Sequence, residues 1–163
     1  CLLLVIWLLV IVFMSVNIED IKKLRAETDA PVSDCRAALE ESKGKMDEAI
    51  KILRDKAIKK ADKKADREVK SGFVFSYVHH TGKIGSMLTL ACETDFVAKN
   101  EAFQTLGKEL VLHICAARPE STEELLKQDY VRDPSKKIQE LIKSVIGKLG
   151  ENIQVLDFKI LIV

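Results

Sequence analysis

At Gly72 the apolar residues of this chain stop recurring every three or four positions and begin to alternate, and this change of period limits the fold more than any other feature. Phe73, Phe75 and Tyr77 fall on one side of an extended segment. After His79-His80-Thr81-Gly82-Lys83 a second β-forming run, Ile84 to Cys92, brings Met87, Leu88 and Leu90 back against it. Two such runs around a short link containing glycine read as an antiparallel hairpin, with His79, His80 and Lys83 at an exposed tip.

Upstream of the hairpin the spacing is helical. Ile18, Ile21 and Leu24 recur three apart, with Asn17 placed to cap the first turn and Glu19 and Asp20 at its positive end. Thr28-Asp29-Ala30-Pro31 breaks that helix; a second follows over Val32 to Ser42, with Ser33 as the expected N-cap and Gly44 as its stop. Asp47 is the expected cap of a third, whose apolar face is Ala49, Ile50, Leu53 and Ala57. Between Lys51 and Lys70 nine basic residues face four acidic ones, a local net charge of +5 on a helix that continues through alanines 57, 61 and 65. A solvated helical face and a strip for an acidic partner both fit that run.

Downstream, Asn100 can cap a long helix through Phe103, Leu106, Leu110, Val111 and Ile114, ending before Arg118-Pro119. A short helix is expected from Ser121 toward Tyr130, and another over Ser135 to Ile146. A last strand runs from Asn152 to Val163, with Ile153, Val155 and either Phe158 or Ile160 facing inward. Helices first, then strands mixed with helices, make an α+β layout. With three prolines, seven glycines and 47% hydrophobic residues, a disordered chain is excluded.

The first thirteen residues, CLLLVIWLLVIVF, are an unbroken apolar run. It is shorter than the roughly 20 residues a membrane span needs, and it has neither the basic start nor the small-residue cleavage site of a secretory signal. The expectation is that native sequence opens at Met14 and that the run is not part of the fold. Lys and Arg number 26 against 25 acidic residues, so the net charge of +1 gives no global attraction to nucleic acid.

Local signatures of catalysis are missing. No phosphate-cradling glycine motif, no G-x-S-x-G and no H-E-x-x-H occurs, so no bound cofactor is expected. Cysteines at 1, 35, 92 and 115 form no C-x-x-C pair, which argues against a disulfide framework and a metal site. A Cys92 nucleophile with His79 or His113 is an unconstrained pairing. What needs explaining is Cys92-Glu93-Thr94-Asp95-Phe96-Val97-Ala98-Lys99-Asn100, because it puts apolar residues into a connection. Either Thr94 or Asp95 caps a turn while Phe96 and Val97 fold under the sheet, or Asp95 and Phe96 project as a carboxylate beside an aromatic anchor.

Val16 to Val163 resembles the elongation factor Ts family of bacteria and organelles. Four separated stretches carry the resemblance: Asp34-Cys35-Arg36-Ala37-Ala38-Leu39, Tyr77 to Gly85, Cys92 to Asn100, and Ile146-Gly147-Lys148-Leu149-Gly150-Glu151-Asn152-Ile153. The resemblance implies a ubiquitin-associated-like three-helix module over 14–56, a basic helical linker over 57–71, and an α+β dimerisation core over 72–163 in which antiparallel strands pack with helices. It also implies a cytoplasmic exchange factor, not an enzyme in the strict sense, that binds the GTPase elongation factor Tu and promotes GDP release. No nucleic acid, membrane, metal or cofactor takes part in that role. Thr94, Asp95, Phe96 and Val97 match the segment that disturbs the partner's magnesium and phosphate site. Asp34, Cys35 and Arg36 match a contact of the N-terminal module, Arg36 standing where lysine is common. His79 matches a second contact, and Lys63 and Lys64 a pair near the partner. The connector from Pro119 to Asp133 is short where many relatives insert further structure, and single-core relatives often pair, so a homodimer is expected. The competing reading is an adaptor whose three-helix module binds other proteins without exchange activity.

Overall fold

The computed structural model describes residues 16–28 and 30–163, so the apolar run at 1–13 lies outside the described residues. The chain divides into two compact units, one through Lys56 and the other from Ala57.

In the first unit, α1 (Ile18–Thr28), α2 (Val32–Glu41) and the start of α3 (Met46–Asp62) bury Leu24, Cys35, Ala38, Leu39, Ala49 and Leu53. The Asn17 side chain accepts from Glu19 N at 3.1 Å, as its capping position requires. Ser33 is not the cap of α2: the helix starts at Val32 with Pro31 in the cap position, and the Pro31 carbonyl accepts from Cys35 N at 3.0 Å. The fixed φ of proline, here −56°, already sets the chain on a helical course, so no side-chain cap is used. Asp47 likewise sits inside the first turn of α3.

The second unit is built on a three-stranded antiparallel sheet in the order β1 (Ser71–Val78), β2 (Ile84–Cys92), β5 (Ile153–Ile162). Phe75, Leu88 and Leu90 point to one face, and α5 (Glu101–Ala117) and α7 (Ile138–Leu149) cover it with Phe103, Leu106, Leu110, Ile114, Ile138, Ile142 and Ile146. Contact is tight where β1 meets α5: a Cβ on Gly107 would lie 2.2 Å from the Phe75 ring. Met87, expected to add bulk to this face, lies on the opposite one, because it has the odd parity of Val74's partner Thr89 and not that of Leu88.

β5 changes phase in its middle. Thr89 pairs with Asp157 but Leu90 pairs with Val155, so Leu156 is an extra residue with no partner. Ile153 and Val155 face the helices before this bulge, and Phe158 and Ile160 face them after it. Both expected candidates therefore point inward.

The stretch 129–137 departs from expectation. In place of the first turn of a helix from Ser135, it forms a small antiparallel pair, β3 (Asp129–Tyr130) with β4 (Asp133–Lys137), after the short α6 (Thr122–Lys127). α5 dictates this from the side. The Glu109 carboxylate accepts from the Tyr130 hydroxyl and from Arg132 Nη1 at 2.8 Å, while buried His113 accepts from Val131 N through Nδ1 at 3.3 Å and meets the Gln128 side chain through Nε2 at 3.0 Å. An imidazole that accepts at Nδ1 must carry its proton at Nε2 and be neutral.

Burial lowers the His113 pKa, with the Gln128 hydrogen bond opposing only in part. A histidine depressed in the folded state contributes stability that is complete above its unfolded value near 6.5 and is lost as pH falls through the folded value. Melting temperature should therefore drop on acidification from about pH 7 to pH 5, and His113→Gln should flatten that part of the profile. A His113→Gln profile as steep as the parent's would assign the drop to other groups.

Candidate functional site

The sheet, the first turn of α5 and the end of α7 meet around residues 93–100. β2 ends at Cys92, and Thr94, with extended backbone (φ −133°), is the N-cap of a four-residue helix, α4 (Asp95–Ala98). Asn100 then caps α5, its side chain accepting from Ala102 N at 2.9 Å, and Gln104 donates to the Ala98 carbonyl at 2.7 Å. Two helices thus begin within six residues and the chain must turn a corner between them.

That corner divides its residues sharply. Val97 and Ala98 are buried in the core of the second unit, whereas Asp95 is exposed and Phe96 is 90% exposed. A phenylalanine left in water forgoes about 1.5–3 kcal/mol of burial. Among the described residues that side chain is left uncovered, and the reading in which Phe96 tucks under the sheet is excluded by its exposure. The Asp95 carboxylate is oriented by the Ser71 hydroxyl, which donates to it from the start of β1.

The Glu151 carboxylate, from the turn after α7, accepts from Thr94 N at 3.0 Å and from Thr94 Oγ1 at 2.7 Å. In return Glu93 accepts from Asn152 N at 2.6 Å and stands 3.5 Å from Arg67. The Asn152 side chain donates to the Ala65 and Arg67 carbonyls at 3.1 and 2.8 Å, and Lys64 Nζ donates to the Gly150 carbonyl at 2.7 Å. Lys64 is thereby fixed, while Lys63 lies exposed beside it. Sequence reasoning gave Glu151 and Glu93 no role. Their signal was positional: beyond the last ladder pair, Cys92 with Ile153, residue 93 comes opposite 152 and residue 94 opposite 151.

The remaining candidates lie on other elements. His79 and His80 lie at the hairpin tip with ring centroids 4.1 Å apart and planes tilted by 44°, and His79 Nδ1 lies 2.9 Å from Thr81 Oγ1. Asp34, Cys35 and Arg36 belong to α2 of the first unit; Cys35 is buried and Arg36 pairs with Glu40 on the surface at 2.8 Å. Cys35 and Val97 are thus packed side chains, not presented ones. Burial pushes the Cys92 thiol up, and the Glu151 carboxylate adds to the effect, which is the reverse of what activates a thiolate nucleophile. Among the described residues no three His, Cys, Asp or Glu side chains converge to hold a metal ion. None of the described helices is long and apolar enough to cross a membrane.

Comparison with known proteins points in one direction. A family model described as "Elongation factor TS" matches residues 93–162, from the corner through β5. The chain is 43% identical over 146 residues to "Elongation factor Ts" of Aquifex aeolicus, covering 86% of this chain and 50% of that protein. It is 36% identical over 190 aligned positions to the protein of the same name from Fervidobacterium nodosum, covering 89% of this chain and 96% of the relative. The Petrotoga mobilis protein gives 38% over 190 positions, with the same coverage. The chain therefore spans half the length of the first relative and nearly all of the other two. An alignment of 190 positions exceeds the 163 residues available here, so those two relatives carry sequence that this chain lacks.

Proposed function

Because the chain belongs to the elongation factor Ts family, we propose that it binds elongation factor Tu carrying GDP and speeds release of the nucleotide through the Asp95–Phe96 corner. The observation that carries this reading is a Phe held 90% exposed beside an oriented carboxylate, on a helix fixed at both ends. Phe96 supplies a rigid apolar anchor for a pocket of the partner. Asp95 brings negative charge to a place where a magnesium ion and phosphate are held by hydrogen bonds and charge, and competes for those groups.

The thermodynamics are those of coupling. If factor and nucleotide each weaken the other's binding, both leave the ternary complex quickly, and exchange accelerates without a change in its equilibrium. Couplings of about 1–3 kcal/mol are typical, which is a 5- to 150-fold change in affinity. No bond is made or broken by the factor, so it acts by binding and not as an enzyme. His79 at the hairpin tip, Lys63, and Asp34 and Arg36 on α2 supply further contacts in this reading. Cys35, Val97 and Lys64 serve by holding the backbone that presents them. The three-helix unit takes the part of the family's ubiquitin-associated-like module, and the protein works in the cytoplasm with the translation machinery.

The test is the rate at which elongation factor Tu loses fluorescent GDP as this protein is added. Acceleration that saturates with concentration supports the reading. Binding without acceleration would favour an adaptor, and neither binding nor acceleration would end both readings.

Two copies are also proposed to pair through the sheet face turned away from α5 and α7. Val74, Met87 and Leu156 are 59%, 47% and 54% exposed there, an apolar surface that a helix-covered sheet leaves open. Light scattering at micromolar concentration should give twice the chain mass, and a monomer mass would remove the proposal.

A further inference from the structure

Strands β2 and β5 stop pairing at Cys92 and Ile153, yet the next two residues of each chain segment remain joined. They do so by an exchange of side chains: the Glu151 carboxylate receives the Thr94 amide at 3.0 Å, and the Glu93 carboxylate receives the Asn152 amide at 2.6 Å. Two backbone donors that have lost their ladder partners are satisfied by charged acceptors, which make stronger hydrogen bonds than neutral ones. We propose that Glu151 is the positioning residue of the Thr94–Asp95–Phe96 corner, fixing through Thr94 the direction in which Phe96 projects. The inference rests on the exchange reading for its functional consequence.

Chemistry at Thr94 makes the contact directional. The hydroxyl has one hydrogen, and Glu151 Oε1, 2.7 Å away, can only accept it. A lone pair is thereby left facing Val97 N, which donates to the same oxygen at 3.5 Å as the N-cap bond of α4. Glu151 thus sets both the position of Thr94, through its amide, and the polarity of its cap. Glutamine at 151 would keep the Thr94 amide bond through its oxygen, but its NH2 would donate to the hydroxyl instead of accepting from it, and both bonds would lose their charge.

The length of α4 explains why an outside residue is needed. Within four residues the helix closes on Ala98 N to Thr94 O and Lys99 N to Asp95 O, both 3.1 Å, and a segment this short does not hold its own conformation. Val97 and Ala98 secure its buried side and Ser71 holds the Asp95 carboxylate, but only Glu151, among the contacts described, grips its N-cap residue from another segment by two bonds. Glu151 is itself only partly buried, so its loss frees the corner without opening a cavity in the core.

The test compares the parent chain with Glu151→Ala, Glu151→Gln, Thr94→Val and the Glu151→Ala/Thr94→Val pair. Fluorescent GDP release from elongation factor Tu is read at saturating factor, together with amide hydrogen exchange in the free protein. Glu151→Ala should lower the saturating rate about tenfold, the loss of roughly one charge-assisted bond. Glu151→Gln should fall less than Glu151→Ala, and the double variant should be no slower than the slower of its two single variants. Exchange at the Thr94 amide should quicken while Leu88 and Leu90 keep their protection, a pattern that general loosening would not give. A parental rate in Glu151→Ala, losses that multiply in the double variant, or equal deprotection of Leu88 and Leu90 would overturn the proposal. If the parent itself releases no GDP, the exchange reading fails on that result alone, and unchanged Thr94 exchange in Glu151→Ala then overturns the clamp separately.

Discussion

Phe96→Ala should leave the folded protein as stable as the parent and remove nearly all of its effect on nucleotide release. The side chain is 90% exposed, so truncation takes no packing from the core, and stability should change by less than about 0.5 kcal/mol. In the proposed exchange reading the same side chain is the anchor, and anchors of this kind cost about 2–4 kcal/mol when truncated, roughly 30- to 1000-fold. The measurement is the saturating rate of fluorescent GDP release beside a chemical denaturation curve for each protein. A variant that exchanges normally would show that the exposed ring is not the anchor. One that loses both activity and stability would show that Phe96 packs in solution, contrary to the structure.

Phe103→Ala should do the opposite. Seven residues further on, Phe103 is fully buried on α5, its ring centroid 6.1 Å from that of Phe75, which in turn lies over Gly107. Truncating a buried phenylalanine costs about 3–5 kcal/mol through lost transfer energy and the cavity left behind. Against a total stability of about 5–15 kcal/mol this is a large fraction, and the denaturation midpoint should fall accordingly. Below its unfolding range the variant should still release GDP at a rate near the parent's, because the corner is held by Glu151 and Ser71 and not by the Phe103 ring. A destabilisation under about 1 kcal/mol would mean that the inner face of the sheet repacks freely. The two variants together separate the residue that the fold spends from the residue that it keeps.

The hairpin, α5 and the existence of the corner were legible in the sequence because their signals are local. Alternation, a glycine at the tip with φ of +69° and an asparagine cap each act within a few residues. The short pair β3–β4 was not, since Asp133-Pro134-Ser135 reads as a helix start until Glu109 and His113, twenty or so residues earlier, take hold of Tyr130, Arg132 and Val131. Ser33 failed as a cap because a proline two residues before it had already set the helix going. For the corner, type and place were readable, but not whether Phe96 faced in or out. That depends on Val97 and Ala98 already taking the buried side of the short helix. Glu151 was invisible for a related reason: its importance lies in being opposite Thr94, a fact of strand register 57 residues away.

The unpaired Leu156 in β5 behaves like a pinned dislocation in a crystal. A one-residue slip of β5 on β2 would turn every inward side chain outward, but the segment before Leu156 and the segment after it are in opposite phase. No single shift keeps both halves consistent unless the defect travels with it, and Ile153 with Val155 on one side and Phe158 with Ile160 on the other hold it in place. Strain arriving at the hairpin tip, where β5 ends, therefore has no cheap route along the strand as a register error. The stretch from Ile153 back to Glu151 keeps its address opposite Cys92 and Thr94 whatever the far end is doing.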